Sequence, residues 1–114
     1  MVKAYRMQEK TKQVGFEWEN KAQVWDKVAE EMNEFREASE NGLGQAQKEE
    51  EFGDVLFSLI NYARFEGIDP ETALERVNQK FKHRFEYIEA HAPKALTDMS
   101  LEEMDALWEQ SKNG

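Results

Sequence analysis

The sequence predicts an all-α fold, an antiparallel bundle of four main helices followed by a short fifth helix. Long stretches are rich in Ala, Glu, Lys, Gln and Leu, which favour helices. Apolar residues recur at helical spacing, and the sequence lacks a sustained alternation of apolar and polar residues. Only two prolines and six glycines interrupt the 114 residues, so we expect a single domain over residues 1–114.

The first two helices are delimited by glycine-containing segments. We expect one helix from about Val2 to Val14, where Gly15 follows, and a second from about Asn20 to Glu40. The segment Asn41-Gly42-Leu43-Gly44 ends the second helix, because these residues accept left-handed backbone conformations at a C-terminal cap. The second helix carries an apolar stripe at helical spacing, formed by Val24, Val28, Met32 and Phe35.

The fourth and fifth helices have capping signals at their starts. The third is expected from about Gln45 to Glu66, and the fourth opens at Asp69-Pro70, with Asp as N-cap and Pro in the first turn. Ser100 and Glu103 form a capping box that starts the short last helix. The third stripe consists of Phe52, Val55, Leu56, Leu59, Ile60 and Ala63, and the fourth of Leu74, Val77, Phe81, Phe85 and Ile88.

The short connection between the second and third helices predicts that they pack antiparallel to each other. Both helices are about 20 residues long, which corresponds to about 30 Å. Their apolar stripes are broad, and two further helices would not cover them fully. We therefore expect a homo-oligomer whose subunits share this core, in preference to a monomer.

Composition and charge narrow the range of partners. The chain has no cysteine, no apolar run near the ~20 residues of a membrane helix, and no apolar signal-peptide core at its start. We therefore expect a cytoplasmic protein with no membrane partner. The net charge of −9 argues against nucleic acid as the main partner, because phosphate backbones select basic surfaces. An acidic protein can still bind a polyphosphate if bound cations reverse the local charge.

Four carboxylates stand out on the second and third helices. Glu31 and Glu34 are three residues apart and share a helix face, and Glu51 and Asp54 have the same spacing. The two pairs lie at nearly equal distances along the chain from Leu43, the tip of the predicted hairpin. Glu34 should therefore face Glu51, and Glu31 should face Asp54, if both pairs point into one groove.

Four carboxylates in one groove indicate a bound cation. A like-charged pair at ~4 Å costs about 1 kcal/mol in water and several times more where water is partly excluded. Oxygen ligands with no His or Cys nearby favour Mg²⁺, with Mn²⁺ as a substitute, over zinc. Solvated surface glutamates remain the alternative, since 24 residues are acidic. Gly53 indicates a close approach to the backbone, because a mid-helix glycine costs ~1 kcal/mol relative to alanine.

Longer segments around these carboxylates resemble the MazG branch of the all-α nucleotide pyrophosphohydrolases. Glu30-Glu31-x-x-Glu34 followed by Glu51-x-x-Asp54 is similar to the acidic signature of that superfamily. The similarity extends from about Ala4 to Trp108, and it looks most like the C-terminal of the two domains in many MazG proteins. The flanking segments that carry it are Val24–Val28, Glu49–Phe57, Asn61–Arg64 and Asn78–Phe85.

The resemblance implies a reaction and an assembly. The reaction is Mg²⁺-dependent hydrolysis of a nucleoside triphosphate between its α- and β-phosphates, which gives the nucleoside monophosphate and pyrophosphate. The assembly is a dimer in which helices from two subunits build each site. The implied role is nucleotide-pool housekeeping or control of alarmone levels, in either an excised domain or a single-domain protein.

The resemblance also implies roles for particular residues. The metal ligands would be Glu31, Glu34, Glu51 and Asp54, with Glu50 as an outer base or a nucleotide contact. Nucleotide contacts would come from Lys27, Lys80, Arg84 and Trp108. Lys80 and Arg84 share one face of the fourth helix, where a solvated basic surface is the alternative. For Trp108, packing in the core is the alternative to stacking on a base.

Three other interpretations can be compared with this one. A di-iron carboxylate bundle needs Glu-x-x-His on its helices, and neither His83 nor His91 has Glu three positions before it. A non-catalytic acidic helical interaction domain remains the alternative from a different class. A related enzyme directed at dUTP or dCTP is the nearer alternative.

Overall fold

The computed structural model describes residues 1–113 of the chain, and these residues form an all-α structure without strands. The predicted fold class is therefore confirmed. A short 3-10 helix at Leu96–Asp98, which the sequence did not predict, precedes the last α-helix. The five α-helices are α1 (Val2–Lys12), α2 (Lys21–Glu40), α3 (Gln45–Phe65), α4 (Pro70–His91) and α5 (Leu101–Ser111).

Side-chain caps fix the starts of three helices. The Asn20 carboxamide oxygen accepts a hydrogen bond from the backbone N–H of Gln23 at 3.0 Å, at the start of α2. Asp69 accepts one from the backbone N–H of Glu71 at 3.1 Å, at the start of α4. The predicted capping box at the start of α5 is present in both directions. Each such cap satisfies an amide that the first helical turn leaves unpaired.

The connection between α2 and α3 reverses the chain direction. Gly42 has a φ of 68°, a left-handed conformation that glycine adopts without steric cost. The two helices then pack antiparallel: the rings of Trp25 and Tyr62 are 5.0 Å apart, and those of Phe35 and Phe52 are 5.3 Å apart. Residue numbers rise along one helix as they fall along the other, so the predicted hairpin is confirmed.

The chain divides into two compact units, one spanning Met1–Thr72 and the other beginning at Ala73. The first unit contains α1, α2 and α3, and its buried apolar residues come from the two long helices. The prediction of one domain over residues 1–114 stays a prediction. The buried apolar residues of this unit are Val24, Val28, Ala38, Val55 and Ile60.

A buried arginine connects α3 to the first twenty residues. The side chain of Arg64 is only 4% exposed, and its Nη2 donates to Glu17 at 2.7 Å and to Asn61 at 2.8 Å. Its Nη1 lies 3.4 Å from a carboxylate oxygen of Glu9. The guanidinium holds the pKa of the Glu17 carboxyl below its usual value. Because the partners belong to α1 and to the segment after it, Arg64 fixes both against α3.

The second unit contains most of α4, the 3-10 helix and α5. Ile88 on α4 and Met99 before α5 are buried. Trp108 on α5 packs against Phe81 on α4, with ring centroids 5.5 Å apart, and the Arg84 guanidinium lies 5.5 Å from the Trp108 ring. These aromatic and cation–π contacts hold α5 against α4.

The three predicted apolar stripes are exposed to different extents: one of four residues on α2, three of six on α3 and four of five on α4. Met32 on α2 and Phe52 on α3 are about half exposed, at 54% and 49%. None of the helices described within residues 1–113 is long and apolar enough to cross a membrane. The other exposed stripe residues are Leu56, Leu59, Leu74, Val77, Phe81 and Phe85.

Candidate metal and nucleotide site

Carboxylates from the two long helices meet in the first unit. One oxygen each from Glu31, Glu51 and Asp54 lies within 4.8 Å of the others, and we call these three residues the carboxylate cluster. Glu31 comes from the middle of α2, and the other two lie one helical turn apart on α3. The antiparallel hairpin therefore brings Glu31 beside Asp54, as predicted from their positions around Leu43.

The cluster is partly removed from water. Glu31 is buried, Glu51 is half-buried and Asp54 is exposed, so the cluster runs from the helix interface to the surface. The buried Oε2 atoms of Glu31 and Glu51 have no hydrogen-bond partner among the described residues. An unpaired buried carboxylate oxygen is costly, and a cation is one way to satisfy it.

Glu34 lies next to this cluster. Its oxygens do not belong to the group of three, yet the Glu31 carboxylate raises the pKa of Glu34 by charge repulsion, and Glu51 contributes a smaller effect. Glu34 is exposed at the helix surface. The structure therefore brings three of the four predicted ligands together, and Glu34 is close enough to Glu31 for charge repulsion to raise its pKa.

Lys27 forms an ion pair with one member of the cluster. Its Nζ lies 2.9 Å from Glu31 Oε1 and 3.4 Å from Glu30 Oε1. The Glu31 carboxylate raises the pKa of Lys27, which keeps the ammonium charged. The sequence analysis gave Lys27 only as a nucleotide contact. The i,i+4 spacing of Lys27 and Glu31 could have predicted their ion pair as well.

The other predicted site residues have different surroundings. Glu50 is exposed on α3 and is not a member of the carboxylate cluster. Lys80 is exposed on α4, and Arg84 lies against Trp108 within the second unit. Trp108 is half-buried and its ring lies 5.5 Å from that of Phe81, while its stacking on a base stays a prediction.

Gly53 does not have the close neighbour that the sequence suggested. A Cβ built there meets nothing within 4 Å, since the position faces open space at the α3 surface. The described residues therefore give no steric reason for glycine at this position. An approach by a nucleotide or by a second chain is still compatible with the open space.

The donor set of the cluster fits a hard divalent cation. All three donors are carboxylate oxygens, which are the ligands that Mg²⁺ and Mn²⁺ prefer. Mg²⁺ keeps several waters and combines few carboxylates with substrate phosphates. The cluster offers three carboxylates, and its exposed member, Asp54, lies on the side where water molecules and substrate phosphates could complete the coordination of the cation.

Sequence reasoning did not find the Arg64 network. Its partners lie far away along the chain, so no local spacing announces them. Only the position of Arg64 on the buried side of α3 could have suggested a partner, because a buried guanidinium is almost always paired.

Comparisons with known proteins find similarity to one family of nucleotide hydrolases. A family model described as the MazG nucleotide pyrophosphohydrolase domain matches residues 20–89, a range that includes all four predicted ligands. Over 97% of its length the chain is 40% identical to the nucleoside triphosphate pyrophosphohydrolase/pyrophosphatase MazG of Thermotoga maritima. Over 98% of its length it is 39% identical to the nucleoside triphosphate pyrophosphohydrolase of Escherichia coli K12.

These relatives are longer than the chain. The matched region makes up 43% of the Thermotoga maritima protein and 44% of the Escherichia coli protein, so the chain spans less than half of either. A further match covers 54% of the chain at 55% identity and 13% of the uncharacterized protein YabN of Bacillus subtilis.

Proposed function

Because the chain belongs to the MazG nucleotide pyrophosphohydrolase family, we propose that it hydrolyses nucleoside triphosphates to nucleoside monophosphates and pyrophosphate with Mg²⁺ as cofactor. The observation that carries the proposal is the carboxylate cluster, in which oxygens from two antiparallel helices come within 4.8 Å. The names of the two full-length relatives support the substrate class. Mn²⁺ is expected to substitute for Mg²⁺.

Glu31, Glu51 and Asp54 would hold the cation, with Glu34 completing the group. The cation would supply positive charge opposite the phosphate oxygens and make a water molecule more acidic. The two buried Oε2 atoms without partners support this role, because metal binding would satisfy both. Glu34 lies near enough to Glu31 for its pKa to rise, so a cation shared by the group would relieve that repulsion.

The reaction requires no protein nucleophile. Water supplies the oxygen that bonds to phosphorus, the bridging bond between the α- and β-phosphates breaks, and one proton is released. Phosphoryl transfer of this kind depends mainly on positioning and charge stabilisation. We assign Glu50 as the acceptor of the released proton, since it is an exposed carboxylate that directly precedes a proposed ligand.

Basic residues are proposed to bind the phosphates. Lys27 lies beside the cluster, and Lys80 and Arg84 share a face of α4 one turn apart. The guanidinium of Arg84 rests against Trp108, which restricts it and prepares it for phosphate binding. Trp108 would present the rest of its half-buried ring to the nucleotide base.

A second copy of the chain is proposed to cover the apolar surface of the hairpin. Trp25 and Met32 on α2 are more than half exposed, at 53% and 54%, and Phe52, Leu56 and Leu59 on α3 are also exposed. Large apolar side chains exposed together on neighbouring helices are typical of a surface that another chain covers. A symmetric dimer would bury the same surface on both subunits.

An assay with purified protein tests the proposal. The protein, saturating Mg²⁺ and a panel of ribo- and deoxyribonucleoside triphosphates are incubated, and nucleoside monophosphate formation is followed by chromatography. We expect turnover of at least one nucleotide and its loss with EDTA. If a folded, Mg²⁺-saturated sample turns over no nucleotide, the chain is not this enzyme and the non-catalytic acidic domain becomes the better description.

A further inference from the structure

The ion pair between Lys27 and Glu31 places a positive charge against a proposed metal ligand. Lys27 Nζ lies 2.9 Å from Glu31 Oε1, while the buried Oε2 of the same carboxylate has no partner. The side chain of Glu31 is only 10% exposed, so few water molecules reach its carboxylate. The Lys27 ammonium supplies the hydrogen bond and the opposite charge that stabilise one of its oxygens. Oε1 of Glu31 is therefore paired with Lys27, and Oε2 is available to a cation.

Lys27 also has a second partner within reach. Its Nζ lies 3.4 Å from Glu30 Oε1, and Glu30 is an exposed residue outside the carboxylate cluster. The lysine side chain is 37% exposed and has four rotatable methylene groups. It can leave Glu31 and remain paired with Glu30 or turn to an anion in solvent, without being buried unpaired.

A divalent cation at the cluster would compete with this ammonium. Mg²⁺ binds carboxylate oxygens at about 2.0–2.1 Å, so a cation on Glu31 Oε2 would lie within a few ångströms of Lys27 Nζ. Like charges at such distances repel appreciably, more so where water is partly excluded. Full engagement of both Glu31 oxygens by the cation would require Lys27 to leave.

We propose that Lys27 is an internal counter-ion of the carboxylate cluster, which neutralises Glu31 before metal binding and is released by the cation toward the substrate phosphates. This inference rests on the proposed function, because it takes the cluster as the metal site. If Lys27 acts in this way, metal binding would strengthen nucleotide binding, because the cation frees the lysine for the phosphates.

The proposal predicts opposite effects of one substitution on two ligands. Lys27→Met removes the competing charge, so Mn²⁺ alone should bind about tenfold more tightly than to the unsubstituted protein. The same substitution removes a phosphate contact, so an uncleavable α,β-methylene nucleotide with Mg²⁺ should bind about tenfold more weakly. A residue that only supports the fold would shift both affinities in the same direction.

Lys21→Met is the matched control. Lys21 also lies on α2 and pairs with one carboxylate, Glu66, at 3.0 Å, but Glu66 lies outside the carboxylate cluster. The substitution therefore removes the same charge and a similar ion pair at a distance from the metal. Both affinities should stay within about twofold of those of the unsubstituted protein, because solvent and salt screen the distant charge.

A second readout follows stability. In metal-free buffer, Lys27→Met should lower the melting temperature by about 4 °C, since Glu31 loses its counter-ion. Saturating Mg²⁺ should remove that difference, because the cation then neutralises Glu31 in both proteins. Lys27→Gln keeps a polar side chain and provides a second variant if the Met variant does not fold.

The role of Lys27 is tested by titrating metal-free protein with Mn²⁺ and measuring free Mn²⁺ by its EPR signal. Tighter Mn²⁺ binding to Lys27→Met, with Lys21→Met unchanged, supports the proposal. Equal or weaker binding to Lys27→Met, when the unsubstituted protein binds Mn²⁺, overturns the role of Lys27 and leaves the metal site intact. No Mn²⁺ binding by the unsubstituted protein overturns both this inference and the proposed metal site.

Discussion

The carboxylate cluster carries negative charge that the ion pair with Lys27 neutralises only in part. Glu31 has Lys27 on one oxygen, but its other oxygen and the Oε2 of Glu51 have no partner among the described residues. The raised pKa of Glu34 reflects the same excess of negative charge. A divalent cation would relieve this repulsion, and the substrate phosphates could then approach an otherwise acidic surface.

Asp54 is the cluster member whose substitution should be easiest to interpret. Its side chain is exposed, so Asp54→Asn should leave the helix content measured by circular dichroism unchanged. If Asp54 is a metal ligand, as proposed, this substitution should lower kcat/KM by about 10²-fold or more. Glu49→Gln is the control, because Glu49 is also an exposed carboxylate of α3 but is not in the cluster. A fully active Asp54→Asn variant would refute the ligand role.

Glu17 should contribute stability that depends on pH. Its side chain is 19% exposed and pairs with Arg64 at 2.7 Å, so Glu17→Gln should lower the free energy of unfolding by about 1–3 kcal/mol at neutral pH. Arg64 holds the pKa of folded Glu17 below its ordinary value of 4.5. The contribution is therefore present above pH 4.5 and is lost as the pH falls through the lowered value.

Urea unfolding from neutral to acidic pH checks this dependence. The stability gap between the unsubstituted protein and Glu17→Gln should narrow as the pH falls below 4.5. Glu19→Gln, which changes an exposed carboxylate two residues away, should show little gap at any pH. A Glu17→Gln gap that stays constant into strong acid is the contrary result.

The helices themselves could be predicted largely from local signals. The predicted caps at Asp69 and Ser100 mark helix starts because each side chain satisfies an amide in the next turn, and the cap at Asn20 lies at the predicted start of the second helix. The 3-10 helix at Leu96–Asp98 was missed, since three residues are too few for a periodic pattern. The hairpin spacing placed Glu31 beside Asp54, but it did not indicate that Glu34 would lie outside the group of three, because residue spacing does not fix the direction of an exposed side chain.

Two glycines of the hairpin should respond to alanine in opposite ways. Gly42 has a φ of 68°, so Gly42→Ala should lower the free energy of unfolding by about 1 kcal/mol. Gly53 is helical with open space at its Cβ position, so Gly53→Ala should raise it by about 0.5–1 kcal/mol. Chemical denaturation of both variants measures the two changes. A stabilising Gly42→Ala would contradict the proposed role of the left-handed turn.

The whole molecule leaves apolar surface that one chain does not cover. The buried apolar residues of the first unit are three valines, one alanine and one isoleucine, while larger side chains such as Trp25, Met32 and Phe52 remain about half exposed. Sequence periodicity identifies which residues are apolar and share a face. It does not say whether the same chain or another covers that face, because both would bury the stripe equally well.

Light scattering tests the proposed dimer. At micromolar concentration we expect twice the 13.4 kDa mass of one chain. Met32→Glu places a charge on the exposed hairpin surface and should give a folded monomer, because Met32 is not needed to fill the core. Leu101→Glu is the control, since Leu101 is an exposed apolar residue at the start of α5. A mass of 13.4 kDa for the unsubstituted protein would contradict the dimer.

The central claim is that the carboxylate cluster supports cleavage between the α- and β-phosphates of a nucleoside triphosphate. The most direct test is a ³¹P NMR time course of the purified protein with Mg²⁺ and its best nucleotide. We expect the signals of nucleoside monophosphate and pyrophosphate to grow in equal amounts, with no orthophosphate. Release of orthophosphate with formation of a nucleoside diphosphate would contradict the claim.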